Sequence, residues 1–209
     1  MITIDAARIY YDGADTVHDF DHVLRVLALA ERIARAEGAD REIVHAAALL
    51  HDVARAQTAV TGGDHAAVGA ERAKEILAGH PAKRVEAVAQ AVAAHRYRGG
   101  PAPKTLEARV LFDADKLDAI GAIGIARAFA FGGAQNQRLW ASRAAIDLAR
   151  WEDEGDSPEE HTPVHEFVVK LSRIKDQLFT PTGRAIAADR HAYMTAFFDR
   201  LDAEMRGEL

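Results

Sequence analysis

Residues 20–38 read FDHVLRVLALAERIARAEG, and this stretch decides the fold class. Its apolar residues recur at intervals of three and four, the spacing that places side chains on one face of a helix. Gly38 follows the last of them, as glycine commonly does at the C-terminal end of a helix. The pattern predicts an amphipathic helix over about residues 15–37.

The rest of the chain favours the same class of structure. Further apolar runs have helical spacing and are bounded by capping residues or prolines such as Asp40, Asp64 and Pro81. We predict an all-α fold in one domain over residues 1–209, with a core at about 15–132, a polar surface excursion at about 133–163 and closing helices at 164–209. The further helices are predicted at about 40–54, 64–77, 81–96, 105–120, 121–132, 164–179 and 182–206.

Composition and charge exclude several classes of protein. The chain has 209 residues, 49% of them apolar and 28% charged, which is enough for a hydrophobic core. Its net charge of −6 argues against a partner that is a nucleic-acid polymer, since such a partner requires a basic face. No run approaches the length of a membrane span, and the first residues lack the basic and apolar regions of a secretory signal. We therefore expect no membrane partner and a cytoplasmic location.

The chain contains no cysteine. Disulfides, thiol nucleophiles and cysteine-ligated metals are excluded on that ground. Any transition metal has to be held by histidine, aspartate or glutamate.

Three stretches carry histidines and aspartates on helix faces that we expect to point inward. His22 lies on a stripe beside the apolar face of the first helix, and His51 points inward at the end of the second. Asp52 lies about 100° further round the helix, so that one cation can be reached by both side chains. Asp115 stands in an apolar run, where a buried carboxylate needs a positive partner. Each residue also has a plain interpretation, as a hydrogen-bonded core histidine or as an aspartate paired with an arginine.

The set resembles the HD-domain metal phosphohydrolases, in particular a small single-domain bacterial branch that includes proteins similar to nucleotide pyrophosphohydrolases. The family pattern is His, then His-Asp, then Asp, on separate helices around one divalent cation. The resemblance implies a helical bundle with the metal between helices, and it selects His22 over His18 as a ligand. It implies His22, His51, Asp52 and Asp115 as the metal ligands. The matching segments are residues 18–26, 46–53 and 113–121, and the likeness covers nearly the whole chain.

The resemblance also implies a cofactor, which is one divalent ion of Mn, Fe, Ni, Zn, Co or Mg. His65 and His95 are the next candidates, either for contacts to a substrate phosphate, for a second metal ion or for plain packing. Asp52 is a candidate for orienting the attacking water as well as for binding metal. Lys116 follows a ligand directly and could reach a phosphate. The catalytic candidates are therefore Asp52, His65, His95 and Lys116.

Four more residues are candidates for contacts to the substrate or to the ligands. Arg25 lies one turn from His22 and could pair with a carboxylate or a phosphate, and His18 lies on the same stripe. Asp118 could orient a ligand histidine or a lysine. Arg96 belongs to a basic segment, residues 95–100, that could form a rim for phosphate binding.

The predicted function is metal-dependent hydrolysis of a small phosphorylated substrate, a nucleotide, with a nucleoside triphosphate giving a monophosphate and pyrophosphate. The acidic pair that guanosine-tetraphosphate hydrolases carry after His-Asp is missing from residues 53–57, and the Gly-Tyr-Pro signature of cyclic-di-GMP phosphodiesterases is also missing. The alternatives are a nucleotidase, a phosphodiesterase, or a non-catalytic sensor that binds metal and nucleotide. A homodimer is a further expectation, through residues 120–133 and the last two helices.

Overall fold

The computed structural model describes residues 1–11, 20–96, 100–146, 148 and 161–209. The structure is 72% helical, and the described residues include no strand, which confirms the predicted all-α class. Short 3₁₀ helices cover Arg143–Ala145 and Leu171–Asp176. The α-helices are α1 (Ile4–Arg8), α2 (Phe20–Glu37), α3 (Arg41–Leu50), α4 (Arg55–Thr61), α5 (His65–Ile76), α6 (Ala82–Ala93), α7 (Leu106–Asp118), α8 (Gly121–Ala134), α9 (Pro163–Val169) and α10 (Pro181–Met205).

Side chains at the helix starts explain where several helices begin. The carboxylate of Asp40 accepts the backbone N–H groups of Glu42 and Ile43, and that of Asp64 accepts the N–H of Ala66. These bonds satisfy donors that have no partner within the helix. The predicted starts of the second and third helices are therefore confirmed. The predicted start of the first helix, near residue 15, lies outside the described residues.

Three predicted helix ends are wrong. The helix predicted over 40–54 ends at Leu50, and α4 follows after a turn in which Val53 N–H bonds the Leu50 carbonyl. The helix predicted to reach residue 96 ends at Ala93. The helix predicted over 164–179 ends at Val169, because Lys170 has a φ of −134° and the chain continues as a 3₁₀ helix. After Leu50 and after Val169 the apolar spacing continues past the point where the backbone leaves the α conformation.

The chain forms two compact units. The first contains Met1–Lys116 with Leu178–Gly183, and the second contains Leu117–Gln177 with Arg184–Leu209. In the first unit α5 packs on α6, and α3 packs on both α2 and α6. In the second unit α9 packs against α8, and the stacked rings of Phe167 and Phe198 have centroids 4.4 Å apart. The predicted single domain over 1–209 stays a prediction.

Among the described residues, no single helix has both the length and the apolar composition needed to cross a membrane. The bent pair α7 and α8 reaches that length and composition only when its two helices are taken together.

A buried carboxylate joins α7 to the segment that leads into α10. Asp113 is fully buried and accepts the backbone N–H of Phe179 at 2.9 Å and the N–H and hydroxyl of Thr180 at 2.7 and 2.6 Å. A Cβ atom on Gly183 would lie 2.5 Å from Asp113 Oδ2, so glycine is required there. Because hydrogen bonds to a carboxylate are charge-assisted, this contact is among the stronger ones in the first unit.

Replacing Asp113 by alanine is expected to lower the free energy of unfolding by about 3 kcal/mol or more, since two buried donors and one part-buried donor would lose their acceptor. The measurement is urea unfolding followed by circular dichroism. Asp189→Ala, at an exposed position of α10, is the matched control and should change stability by no more than about 0.5 kcal/mol. Equal unfolding midpoints for the two variants would contradict the assigned role of Asp113.

Candidate metal centre

The four predicted metal ligands meet in the first compact unit. His22 is the third residue of α2, His51 caps the end of α3, Asp52 lies in the turn before α4, and Asp115 lies on α7. The Nε2 atoms of His22 and His51 are 3.2 Å apart, and each is 3.8 Å from Oδ2 of Asp52. Nε2 of His22 also lies 3.5 Å from Oδ1 of Asp115. Side chains from three separate stretches of sequence therefore surround one small volume.

Hydrogen bonds fix the orientation of the ring of His51. Its Nδ1 lies 2.8 Å from the carbonyl oxygen of Ala48, which can only accept, so Nδ1 carries the proton. In the neutral ring Nε2 then has a free lone pair, and this lone pair faces His22 and Asp52. The ring of His95 is held in the same way, with Nδ1 2.6 Å from the carbonyl of Val92. Second hydrogen bonds of this kind are typical of histidines that bind metal.

Burial and nearby charges set the protonation states. Burial lowers the pKa of His51 to about 4, although the carboxylates of Asp52 and Asp115 oppose this shift. Burial would raise the pKa of Asp52, but its interactions with His51, His95 and Arg55 outweigh burial and hold that pKa well below its usual range. The pKa of Asp115 is likewise lowered, because Lys116 and the histidines outweigh its burial. Near neutral pH the centre therefore holds a neutral His51 and two ionised carboxylates.

This donor set fits a divalent transition metal. Two imidazole nitrogens and two carboxylate oxygens suit Mn, Fe, Co, Ni or Zn. The 3.2 Å between the two Nε2 atoms matches neighbouring ligands of one cation, since metal–nitrogen bonds are about 2.0–2.1 Å long. Oδ1 of Asp52 is buried and has no hydrogen-bond partner among the described residues. A cation placed among these ligand atoms would stabilise the two carboxylates.

A second group of ligand atoms shares Asp52. Nε2 of His65 lies 3.7 Å and Nε2 of His95 lies 3.5 Å from Oδ1 of Asp52. His22 and His51 face the other oxygen of this carboxylate, Oδ2. Burial lowers the pKa of His65 to about 4 against the charge of Asp52, so its ring is also neutral near pH 7. The described residues thus contain two overlapping groups that could hold a metal ion, with Asp52 in both.

The remaining candidates lie at different places. Lys116 Nζ is 2.5 Å from Oδ2 of Asp115, so this carboxylate pairs with a lysine rather than an arginine. Arg96 Nη1 lies 3.4 Å from Asp64 at the start of α5. Asp118, in the second unit, accepts a hydrogen bond of 2.8 Å from Arg127. Arg25 is half-buried on α2, and His18 lies outside the described residues. Their predicted roles stay predictions.

Sequence reasoning missed Arg55. Its Nη1 lies 3.8 Å from Oδ1 of Asp52, and its side chain is 37% exposed. The sequence did contain a signal, because Arg55 follows Asp52 by three residues, the spacing at which side chains on a helical turn become neighbours.

Comparison with known proteins assigns the family. The HD domain model matches residues 19–120, a range that contains all four predicted ligands. YpgQ of Bacillus subtilis (strain 168), an uncharacterized protein, is 35% identical over 202 residues, which cover 91% of this chain and 85% of that protein. The chain belongs to the HD domain superfamily. This family binds divalent metals, as the resemblance implied.

Solved structures extend the likeness beyond the matched range. The structure of Bacillus subtilis YpgQ in complex with ADP has a TM-score of 0.75 and 28% identity, covering 98% of this chain and 99% of that chain. A predicted HD superfamily hydrolase from an uncultured Thermotogales bacterium has a TM-score of 0.68 and 30% identity, covering 97% and 90%. An HD-superfamily hydrolase from Bacillus thuringiensis has a TM-score of 0.71 and 28% identity, covering 97% and 94%.

Replacing His51 by alanine is expected to weaken Mn²⁺ binding by at least about 100-fold, since even an indirect partner of a ligand commonly contributes 10- to 100-fold. The measurement is titration of metal-stripped protein by calorimetry, with metal content checked by mass spectrometry. His45→Ala is the matched control, because His45 lies on the same helix and bonds Glu31 at 2.8 Å, outside the two metal-binding groups. Equal metal affinity in His51→Ala and the wild type would exclude His51 as a ligand.

Proposed function

We propose that this protein is a metal-dependent phosphohydrolase that acts on a nucleotide and converts a nucleoside triphosphate to a monophosphate and pyrophosphate. The convergence of His22, His51, Asp52 and Asp115, with neighbouring ligand atoms 3.2 to 3.8 Å apart, is the observation that carries the proposal. The relative YpgQ has been solved in complex with ADP, which supports a nucleotide as the ligand class.

The balance of charge around the centre supports a substrate with several negative charges. The carboxylates of Asp52 and Asp115 are matched by two cationic side chains, Arg55 and Lys116. Imidazoles that bind a metal are neutral. A divalent cation would therefore leave these residues with a formal charge of two positive, and more if a second ion binds beside His65 and His95. Such a centre complements a di- or triphosphate better than a neutral ester.

The side chains divide the remaining tasks between them. A divalent cation in this centre supplies Lewis acidity, which lowers the pKa of a water molecule and polarises a phosphoryl oxygen. Oδ2 of Asp52 faces the two proposed ligand histidines, whereas Oδ1 has no hydrogen-bond partner among the described residues and can accept a hydrogen bond from the attacking water, which would orient it. The low pKa of Asp52 makes it a weak proton acceptor, which favours orientation over general-base catalysis. Lys116 Nζ can donate to a phosphoryl oxygen while it stays beside Asp115.

His65 and His95 have two proposed roles that the same geometry supports. Their Nε2 atoms face Oδ1 of Asp52, so His65, His95 and Asp52 are the residues that would hold a second cation. Their other proposed role is contact with a substrate phosphate, and the partial exposure of His65 suits it. Metal stoichiometry at saturation distinguishes these roles, because only the first gives two ions per chain.

Incubating the purified protein with Mn²⁺ and a panel of nucleoside tri-, di-, mono- and cyclic phosphates is expected to yield monophosphate and pyrophosphate from the triphosphates. Phosphorus NMR identifies the products and hence the bond that is cleaved. Asp115→Asn should lower kcat by at least about 100-fold, because Lewis-acid catalysis contributes several kcal/mol, whereas His45→Ala should match the wild type. Orthophosphate from monophosphates would indicate a nucleotidase, opening of cyclic nucleotides a phosphodiesterase, and binding without turnover a sensor.

Arg55→Gln is expected to raise KM for a nucleoside triphosphate about 10-fold or more, because the substrate phosphate would lose a charge-assisted hydrogen bond from the guanidinium. Its affinity for Mn²⁺ should stay the same or become tighter, since a positive charge near the metal is removed. Steady-state kinetics and metal titration give the two values. Arg35→Gln, at an exposed position of α2, is the control. Weaker metal binding with an unchanged KM would instead make Arg55 a structural partner of Asp52.

A further inference from the structure

The C-terminal end of α3 is held by a residue far away in the sequence. The hydroxyl of Tyr11 donates a buried hydrogen bond of 2.8 Å to the carbonyl of Leu49, 38 residues away along the chain. In a continuing α-helix that carbonyl would accept the N–H of Val53. Here Val53 N–H bonds the carbonyl of Leu50 instead, at 3.3 Å. Because the chain turns at Asp52, the carbonyl of Leu49 does not receive the N–H of Val53, and the hydroxyl of Tyr11 donates to it instead.

This bond matters because the local sequence favours a longer helix. The apolar pattern by itself predicts a helix through residue 54, yet α3 ends at Leu50. A buried carbonyl without a partner is costly, so the turn depends on the donor that Tyr11 supplies. The turn also sets the direction of the Asp52 side chain. One of its oxygens faces His22 and His51, and the other faces His65 and His95.

The ring of Tyr11 contacts the start of α2, the helix that carries His22. Its centroid lies 5.4 Å from that of Phe20, the first residue of α2, and both side chains are buried. The guanidinium of Arg8 lies 4.3 Å from the centroid of the Phe20 ring. His22 follows Phe20 by two residues. Tyr11 therefore joins the start of α2, through its ring contact with Phe20, to the end of α3, through its hydrogen bond to Leu49. His22 and His51 meet at these two helix ends.

We propose that Tyr11 is a positioning residue of the metal centre, which holds the His51–Asp52 turn through its hydroxyl and the start of α2 through its ring. The inference rests on the metal centre proposed above. Tyr11 is not a ligand in this assignment, because it acts through the backbone carbonyl of Leu49. It sets the spacing of ligands that lie on different helices.

The test is Tyr11→Phe in the full chain, which removes the hydroxyl and keeps the ring. Metal-stripped protein is titrated with Mn²⁺, and we expect a dissociation constant about 10-fold or more above that of the wild type, as for other outer partners of metal ligands. Co²⁺-loaded protein should show a shifted visible absorption band, since the ligand geometry changes. Tyr10→Phe is the matched control, because Tyr10 is the preceding residue and is only half-buried.

The outcomes separate this inference from the proposed function. Weaker Mn²⁺ binding and a shifted Co²⁺ band in Tyr11→Phe, with neither change in Tyr10→Phe, would support the assignment whether or not the protein hydrolyses nucleotides. A lower melting temperature of the metal-free variant with unchanged metal affinity and an unchanged Co²⁺ band would overturn it, because Tyr11 would then serve stability alone. A wild-type protein that binds neither metal would overturn both the centre and the role of Tyr11.

Discussion

A buried carboxylate shared by two pairs of imidazoles is the constraint on which the arrangement of the centre depends. One oxygen of Asp52 faces His22 and His51, and the other faces His65 and His95. Burial by itself would favour the protonated acid, yet the surrounding groups keep the pKa low. An ionised carboxylate is costly in a protein interior unless cationic side chains or a metal ion lie beside it. The fold therefore keeps together groups that gain most from a bound metal.

The backbone around Asp52 is arranged to serve this constraint. Two hydrogen bonds hold the end of α3, since His51 bonds the carbonyl of Ala48 and Tyr11 donates to that of Leu49, two residues before His51. On α7, Asp113 lies two residues before Asp115, and it accepts hydrogen bonds from the backbone N–H and the hydroxyl of Thr180. The ligands are thus held by bonds between elements rather than by the helices alone, which limits their movement and favours a preorganised centre.

The likeness to other HD proteins is not confined to the metal-binding part. The HD domain model matches residues 19–120, whereas the YpgQ structure covers 98% of this chain. The second compact unit therefore belongs to the architecture that this chain shares with YpgQ. Around the proposed ligands, Arg55 and Lys116 balance the two carboxylates, so the proposed metal ion would leave these side chains with a net positive charge.

The sequence by itself determined the all-α class and the starts of α3 and α5, because apolar spacing and capping are local properties. The ligand set His22, His51, Asp52 and Asp115 was implied by the family resemblance of three short motifs, and it stays a prediction. It could not place the end of α3, since the donor that ends it, the hydroxyl of Tyr11, is 38 residues away. It also could not show that His65 and His95 share Asp52 with the first pair. Only the tertiary structure decided these points, because distances between side chains on different helices follow from packing rather than from spacing along the chain.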